Sequence, residues 1–86
     1  MNLFLHNLNK MKTTQKLNTI RLIATGNAIS CMDFVNNKCG LRYGDILFRL
    51  KKEIGITYHY DHKNFLYYFD DESIRNCRDY LNELNK

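Results

Sequence analysis

An 86-residue chain with 44% apolar and 26% charged residues supports one domain around one small core, and its composition is too ordinary for a disordered tail. Cys31, Cys39 and Cys77 lie far apart with no C-x-x-C pair, which argues against a disulfide lattice or a cysteine zinc site and for free cytosolic thiols. The net charge of +4 hides a division: residues 1–52 hold nine Lys and Arg against two Asp, whereas residues 53–86 hold four against seven Asp and Glu. A polyanion-binding surface therefore belongs to the first part, the alternative being a solvated surface segregated by chance.

Residues 1–12 show poor periodicity and read as a flexible N-terminal arm, or else as an extra strand or dimer-forming segment carrying Leu3, Leu5 and Leu8. The apolar stretch there is too short for a signal peptide, and nothing approaches membrane-spanning length, so a cytoplasmic protein without a membrane partner is expected. The domain itself, residues 13–86, opens with a helix from about Thr13-Thr14 to Gly26. Its buried stripe is Leu17, Ile20, Ile23 and Ala24, and Gly26 supplies the left-handed stop.

After an extended link at Asn27-Ala28-Ile29, Ser30-Cys31-Met32-Asp33 has the form of a capping box with Asp in place of Glu. It predicts a short second helix, with apolar contacts from Met32, Phe34 and Val35, that stops near Lys38 before Cys39-Gly40. The third helix, about Leu41 to Ile54, is two-faced. At 100° per residue, Tyr43, Ile46, Leu47, Leu50 and Ile54 share one side, while Arg42, Asp45, Arg49 and Lys52 fall on another at i, i+3, i+7 and i+10. Gly44 costs helix stability, about 1 kcal/mol relative to Ala, and offers close approach to another helix or to a nucleic-acid backbone.

Gly55 ends that helix. Ile56, Tyr58 and Tyr60 alternate with Thr57 and His59, and Phe65, Tyr67 and Phe69 with Leu66 and Tyr68. Joined by Asp61-His62-Lys63-Asn64, these runs predict a hairpin. The tyrosines are better read as inward rings of a small core than as a base-stacking platform. A final helix opens at the acids Asp70, Asp71 and Glu72 and aligns Ile74, Cys77, Leu81 and Leu84, either to complete the core or to make a two-fold contact.

A helix pair followed by a hairpin is the plan of an α+β winged helix-turn-helix: a three-helix core, a two-stranded wing and a C-terminal helix. On that plan Arg42, Asp45 and Arg49 face base edges of double-stranded DNA, and Lys52, Lys38 and Lys63 meet phosphates. Asp45 accepts from cytosine or pairs with Arg49 at i+4. The competing reading is a merely solvated stripe. His59 and His62 lack a third convergent ligand, so no metal is expected, and no nucleophile–base pair or phosphate-cradling loop suggests an enzyme or a cofactor.

Across roughly residues 15–69 the sequence resembles a small helix-turn-helix family of bacteriophages and prophages. Ile29-Ser30 opens the unit, Met32-Asp33-Phe34-Val35 matches its first helix, Arg42 follows the turn, and Leu47, Leu50-Lys51-Lys52-Glu53 and Gly55 close it. The chain differs in its Cys39-Gly40 order and in Ile54 before the glycine. The resemblance implies winged-helix geometry and a phage-like origin in a bacterial host. A transcriptional regulator, acting as a homodimer on a palindromic site, is the expected role. The alternative is an anti-CRISPR-like inhibitor that uses the same scaffold, and the acidic C-terminal helix, against a host defence protein complex.

Overall fold

The computed structural model describes residues 3–85, with side chains from residue 14 onward, as an α+β protein with a small three-stranded antiparallel sheet. Helix α1 spans Leu3–Ala24 and so begins well before Thr13-Thr14. Nothing between Leu3 and Ala24 is Gly or Pro, so no local signal stops the helix from running back through the segment read as an arm; residues 1 and 2 lie outside the described residues. Ile20 and Ile23 are fully buried, Leu17 is half-buried, and the buried Thr19 hydroxyl donates to the Gln15 carbonyl at 2.9 Å. The helix stops as expected at Gly26 (φ 83°), and Arg78 Nε donates to the Ala24 carbonyl at 2.9 Å, placing a cation on the negative end of the helix.

Strand β1, Ile29–Ser30, follows where only an extended link was expected. Ser30 then caps α2, Cys31–Asn36: its side chain accepts from the Asp33 N–H at 3.1 Å, and Asp33 accepts from the Ser30 N–H at 2.9 Å. The capping box predicted from sequence is therefore present. Of the apolar residues in α2, Phe34 alone is buried; Met32 and Val35 face outward, contrary to expectation, because a two-turn helix has room for one inward position. Lys38 (φ 61°) and Gly40 (φ 91°) turn the chain, and Asn18 Nδ2 holds the Lys38 carbonyl at 3.1 Å.

Helix α3, Tyr43–Glu53, buries Leu47 and Leu50 and ends at Gly55 (φ 78°), whose N–H donates to the Leu50 carbonyl at 3.1 Å. Strands β2, Tyr58–Asp61, and β3, Leu66–Phe69, form the predicted hairpin in the register Tyr58↔Phe69 and Tyr60↔Tyr67. β1 pairs with the free side of β3, Ile29↔Tyr67 and Ser30↔Leu66, giving the order β1-β3-β2. Phe65 is not a strand residue. It occupies the last loop position with φ 57° and is exposed. The loop is tied by the Asp61 carboxylate, which accepts from the Lys63 N–H at 2.9 Å and from Asn64 Nδ2 at 2.8 Å. Those bonds hold the Asp61 carboxyl below its usual range.

Phe34, Tyr43 and Tyr67 fill the space between sheet and helices, whereas Tyr58 and Tyr68, expected to be inward rings, are exposed because Tyr68 lies on the outer face and Tyr58 at the edge of the small sheet. Tyr67 packs edge-on against Phe34 at 5.4 Å and tilted against Tyr60 at 4.6 Å, while Phe34 stacks on Tyr43 at 4.5 Å. Helix α4, Asp71–Leu84, packs chiefly on α1 and buries Ser73 and Cys77, so its stripe completes the core of the monomer. Leu84, expected on that stripe, is exposed at the end of the helix. The Ser73 hydroxyl bridges Thr57, accepting from its N–H at 2.7 Å and donating to its carbonyl at 3.1 Å. That bridge fastens the start of the hairpin to the start of α4, which satisfies the buried hydroxyl and both backbone groups.

Candidate functional site

Helix α3 presents its two faces as its sequence dictates. With Leu47 and Leu50 fixed in the core, Arg42, Asp45, Arg49 and Lys52 are all exposed. Arg42 is the N-cap of the helix, and its Nε lies 3.1 Å from an Asp45 carboxylate oxygen. Asp45 therefore pairs with the cation three residues before it rather than with Arg49 four residues after it. Asp45 also sits in the first turn, where the helix dipole favours an acid, and from there the N-cap guanidinium is in reach. Both partners are open to solvent, so this ion pair is worth at most about 1 kcal/mol and leaves Arg42 easy to redirect.

Arg42, Asp45 and Arg49 come together along one side of α3, where they line a cleft of about 410 Å³ with Ile46, Glu53 and, from α1, Gln15 and Lys16. Lys16 and Glu53 form an ion pair across it, and the Lys16 ammonium also lies 5.8 Å from the Tyr80 ring centroid. Arg49 has no hydrogen bond or ion pair among the described residues. Lys52 stands outside this cleft, with its ammonium 4.6 Å above the Phe48 ring. Lys38 and Lys63 are exposed on two separate loops, Lys38 in the turn between α2 and α3 and Lys63 at the hairpin tip.

Sequence reasoning passed over two residues of this surface. Phe48 is 57% exposed and Leu41, just before α3, is 84% exposed. The signal for Phe48 was available: it lies about 200° around the helix from Leu50 and cannot share the buried face. Gly44 lies on the same outward side, and a Cβ placed there would meet no atom within 4 Å, so the glycine admits no neighbouring helix of this fold. The Lys16–Glu53 link had no local signal, because it joins residues far apart in sequence.

Two of the three free cysteines, Cys39 and Cys77, are buried. Burial pushes the Cys77 thiol up to about 11 and also raises that of Cys39, against a hydrogen bond with Thr19 that lowers it. The Tyr43 hydroxyl is raised first by its hydrogen bond with the Cys31 thiol and then by burial. Cys31 itself is half-buried rather than buried. Among the described residues no group of three or more His, Cys, Asp or Glu is disposed to hold a metal, and no helix is long and apolar enough to cross a membrane. No protein-family model, curated protein or solved structure matches the chain.

Proposed function

We propose that this chain is a winged helix-turn-helix protein that binds double-stranded DNA, and that it acts as a small phage or prophage transcriptional regulator. The observation that carries the reading is the division of α3: Leu47 and Leu50 inside, with Arg42, Arg49 and Lys52 in solvent. The order α1-β1-α2-α3-β2-β3, with β3 central in the sheet, supports it because it matches the winged-helix plan. In this reading α3 enters the major groove, Arg49 and Arg42 read base edges, and Lys38, Lys52 and Lys63 neutralise phosphates. Asp45 releases Arg42 to a guanine, or accepts from a cytosine amine in its place.

Binding of this kind releases counterions. With four or five phosphate contacts, log affinity falls against log salt with a slope near about −4. A mobility shift on DNA upstream of the gene, repeated over a salt series, tests this; a flat response rejects the mechanism. Two-fold operators call for a homodimer, which light scattering with and without DNA measures.

A second reading, an inhibitor of a host defence protein complex, draws on the exposed apolar side chains of Met32 and Leu41 beside the same helix pair. A stable complex recovered from host lysate, together with no mobility shift, selects that reading over the first.

A further inference from the structure

The exposed side of α3 carries one aromatic ring among its cations. The fully buried Leu50 marks the inward side of the helix; Phe48 points the other way, 57% exposed, with the Lys52 ammonium 4.6 Å over its ring. Four residues before it, Gly44 leaves the helix surface bare, with nothing within 4 Å of where a Cβ would stand. The ring therefore projects from a cleared surface and can lie against whatever α3 meets. Its neighbours on the exposed side of α3 are Arg49, Lys51 and Lys52, and the exposed Leu41 precedes the helix.

A partner matching this surface carries negative charge together with a small apolar point. The major groove offers both, because phosphate rows flank the C5-methyl group that distinguishes thymine there. From the exposed ring, its cationic border and the open surface at Gly44, we propose that Phe48 is a specificity-determining residue that reads a thymine methyl group. Lys52 then serves two ends, holding the ring from one side and reaching the adjacent phosphate. The proposal rests on the DNA-binding reading above and adds the base that α3 selects.

The test separates the two. The wild-type protein is used to select duplexes from a random-sequence pool. The best of them is then remade with each thymine replaced in turn by deoxyuridine, which removes only the methyl group. One or two positions should lose about fourfold in affinity, as expected for one buried methyl group. Phe48→Ala should bind the parent duplex more weakly, with the same salt slope, and be insensitive at those positions. Phe48→Leu should keep part of the sensitivity, and Leu84→Ala, at an exposed apolar position at the end of α4, should behave as wild type.

Salt-dependent binding with no methyl-sensitive position overturns the thymine assignment and leaves the DNA reading intact. The thymine assignment also falls if Phe48→Ala is as sensitive as wild type. If no duplex is enriched and retention is independent of salt, both readings fall. A Phe48→Ala protein that binds DNA unchanged but loses a host protein partner assigns the ring to a protein contact instead.

Discussion

Substituting Gly40 by Ala tests the turn that sets α3 relative to α1 and α2. Two separable costs follow from the structure. First, Gly40 has φ 91°, and an L-residue in that region costs about 1–2 kcal/mol of backbone strain, offset in part by about 0.4–1 kcal/mol from the stiffer unfolded chain. Second, the added Cβ would lie 2.9 Å from Gln15 Nε2 and 3.1 Å from its Cδ, closer than carbon atoms tolerate. The amide end of Gln15 can swing away, so this term is smaller, but it loses its place in the cleft. The net loss is about 1–2 kcal/mol, or about 1–2 M in the urea midpoint for a slope near 1 kcal/mol/M. Chemical unfolding of Gly40→Ala, Gln15→Ala and the double variant resolves the terms. Strain persists in the double variant, whereas the steric part appears as non-additivity of about 0.5 kcal/mol or more. A Gly40→Ala protein within about 0.3 kcal/mol of wild type would refute the positive φ, and strict additivity would refute the contact with Gln15.

Other consequences are equally measurable. Asp33→Ala removes the bond its carboxylate accepts from the Ser30 N–H. Ser30→Ala removes the N-cap itself and should cost about 0.5–2 kcal/mol in urea unfolding, with most of that cost persisting in the double variant because the Ser30 hydroxyl accepts from the backbone N–H of residue 33. Asp70 is held below its ordinary value by hydrogen bonds from Ser73 and Thr57, so its contribution is complete above about pH 4 and fades as pH falls toward the folded value. Asp70→Asn keeps a capping oxygen without the titration, so its stability deficit relative to wild type should shrink as unfolding is measured at successively lower pH. Phe34→Ala deletes the fully buried ring stacked on Tyr43; a cost of about 3–5 kcal/mol approaches the whole stability of such a domain, and near-ultraviolet circular dichroism should collapse. Arg49→Ala should leave stability within about 0.5 kcal/mol while weakening binding to a preferred duplex by about 1–3 kcal/mol.

What could be read from the sequence was what neighbouring residues decide among themselves. The capping box is a reciprocal bond between residues three apart, so Ser30 and Asp33 announce it. The two faces of α3 follow from helical pitch alone, and the hairpin from alternation on either side of a polar turn. Strand β1 escaped notice because two residues cannot display a period of two; Ile29 is a strand residue only because the edge of β3, nearly forty positions later, is open to it. The start of α1 was misplaced for another reason. Phe4, Leu8 and Met11 there recur at i, i+4 and i+7, but the Asn residues among them read as loop, and a helix without an internal breaker runs through them. At the candidate site the exposed positions were legible and their partners were not. Whether Asp45 turns to Arg42 or Arg49 depends on a rotamer at the N-cap, and the cleft needs Lys16 from another helix.

The bond from Arg78 to the Ala24 carbonyl, made across the packing of α4 on α1, joins the first and last of the described helices. The stripe formed by Ile20 and Ile23 waits for a partner synthesised after the other described elements, and Cys77 enters the core only with it. During translation the helix pair and hairpin precede their final cover, leaving a nascent chain with an uncovered aliphatic surface until residues 71–84 emerge. Truncations within α4 should therefore yield a sticky, incompletely folded product rather than a smaller working domain, even though every candidate DNA-facing side chain lies upstream of the cut.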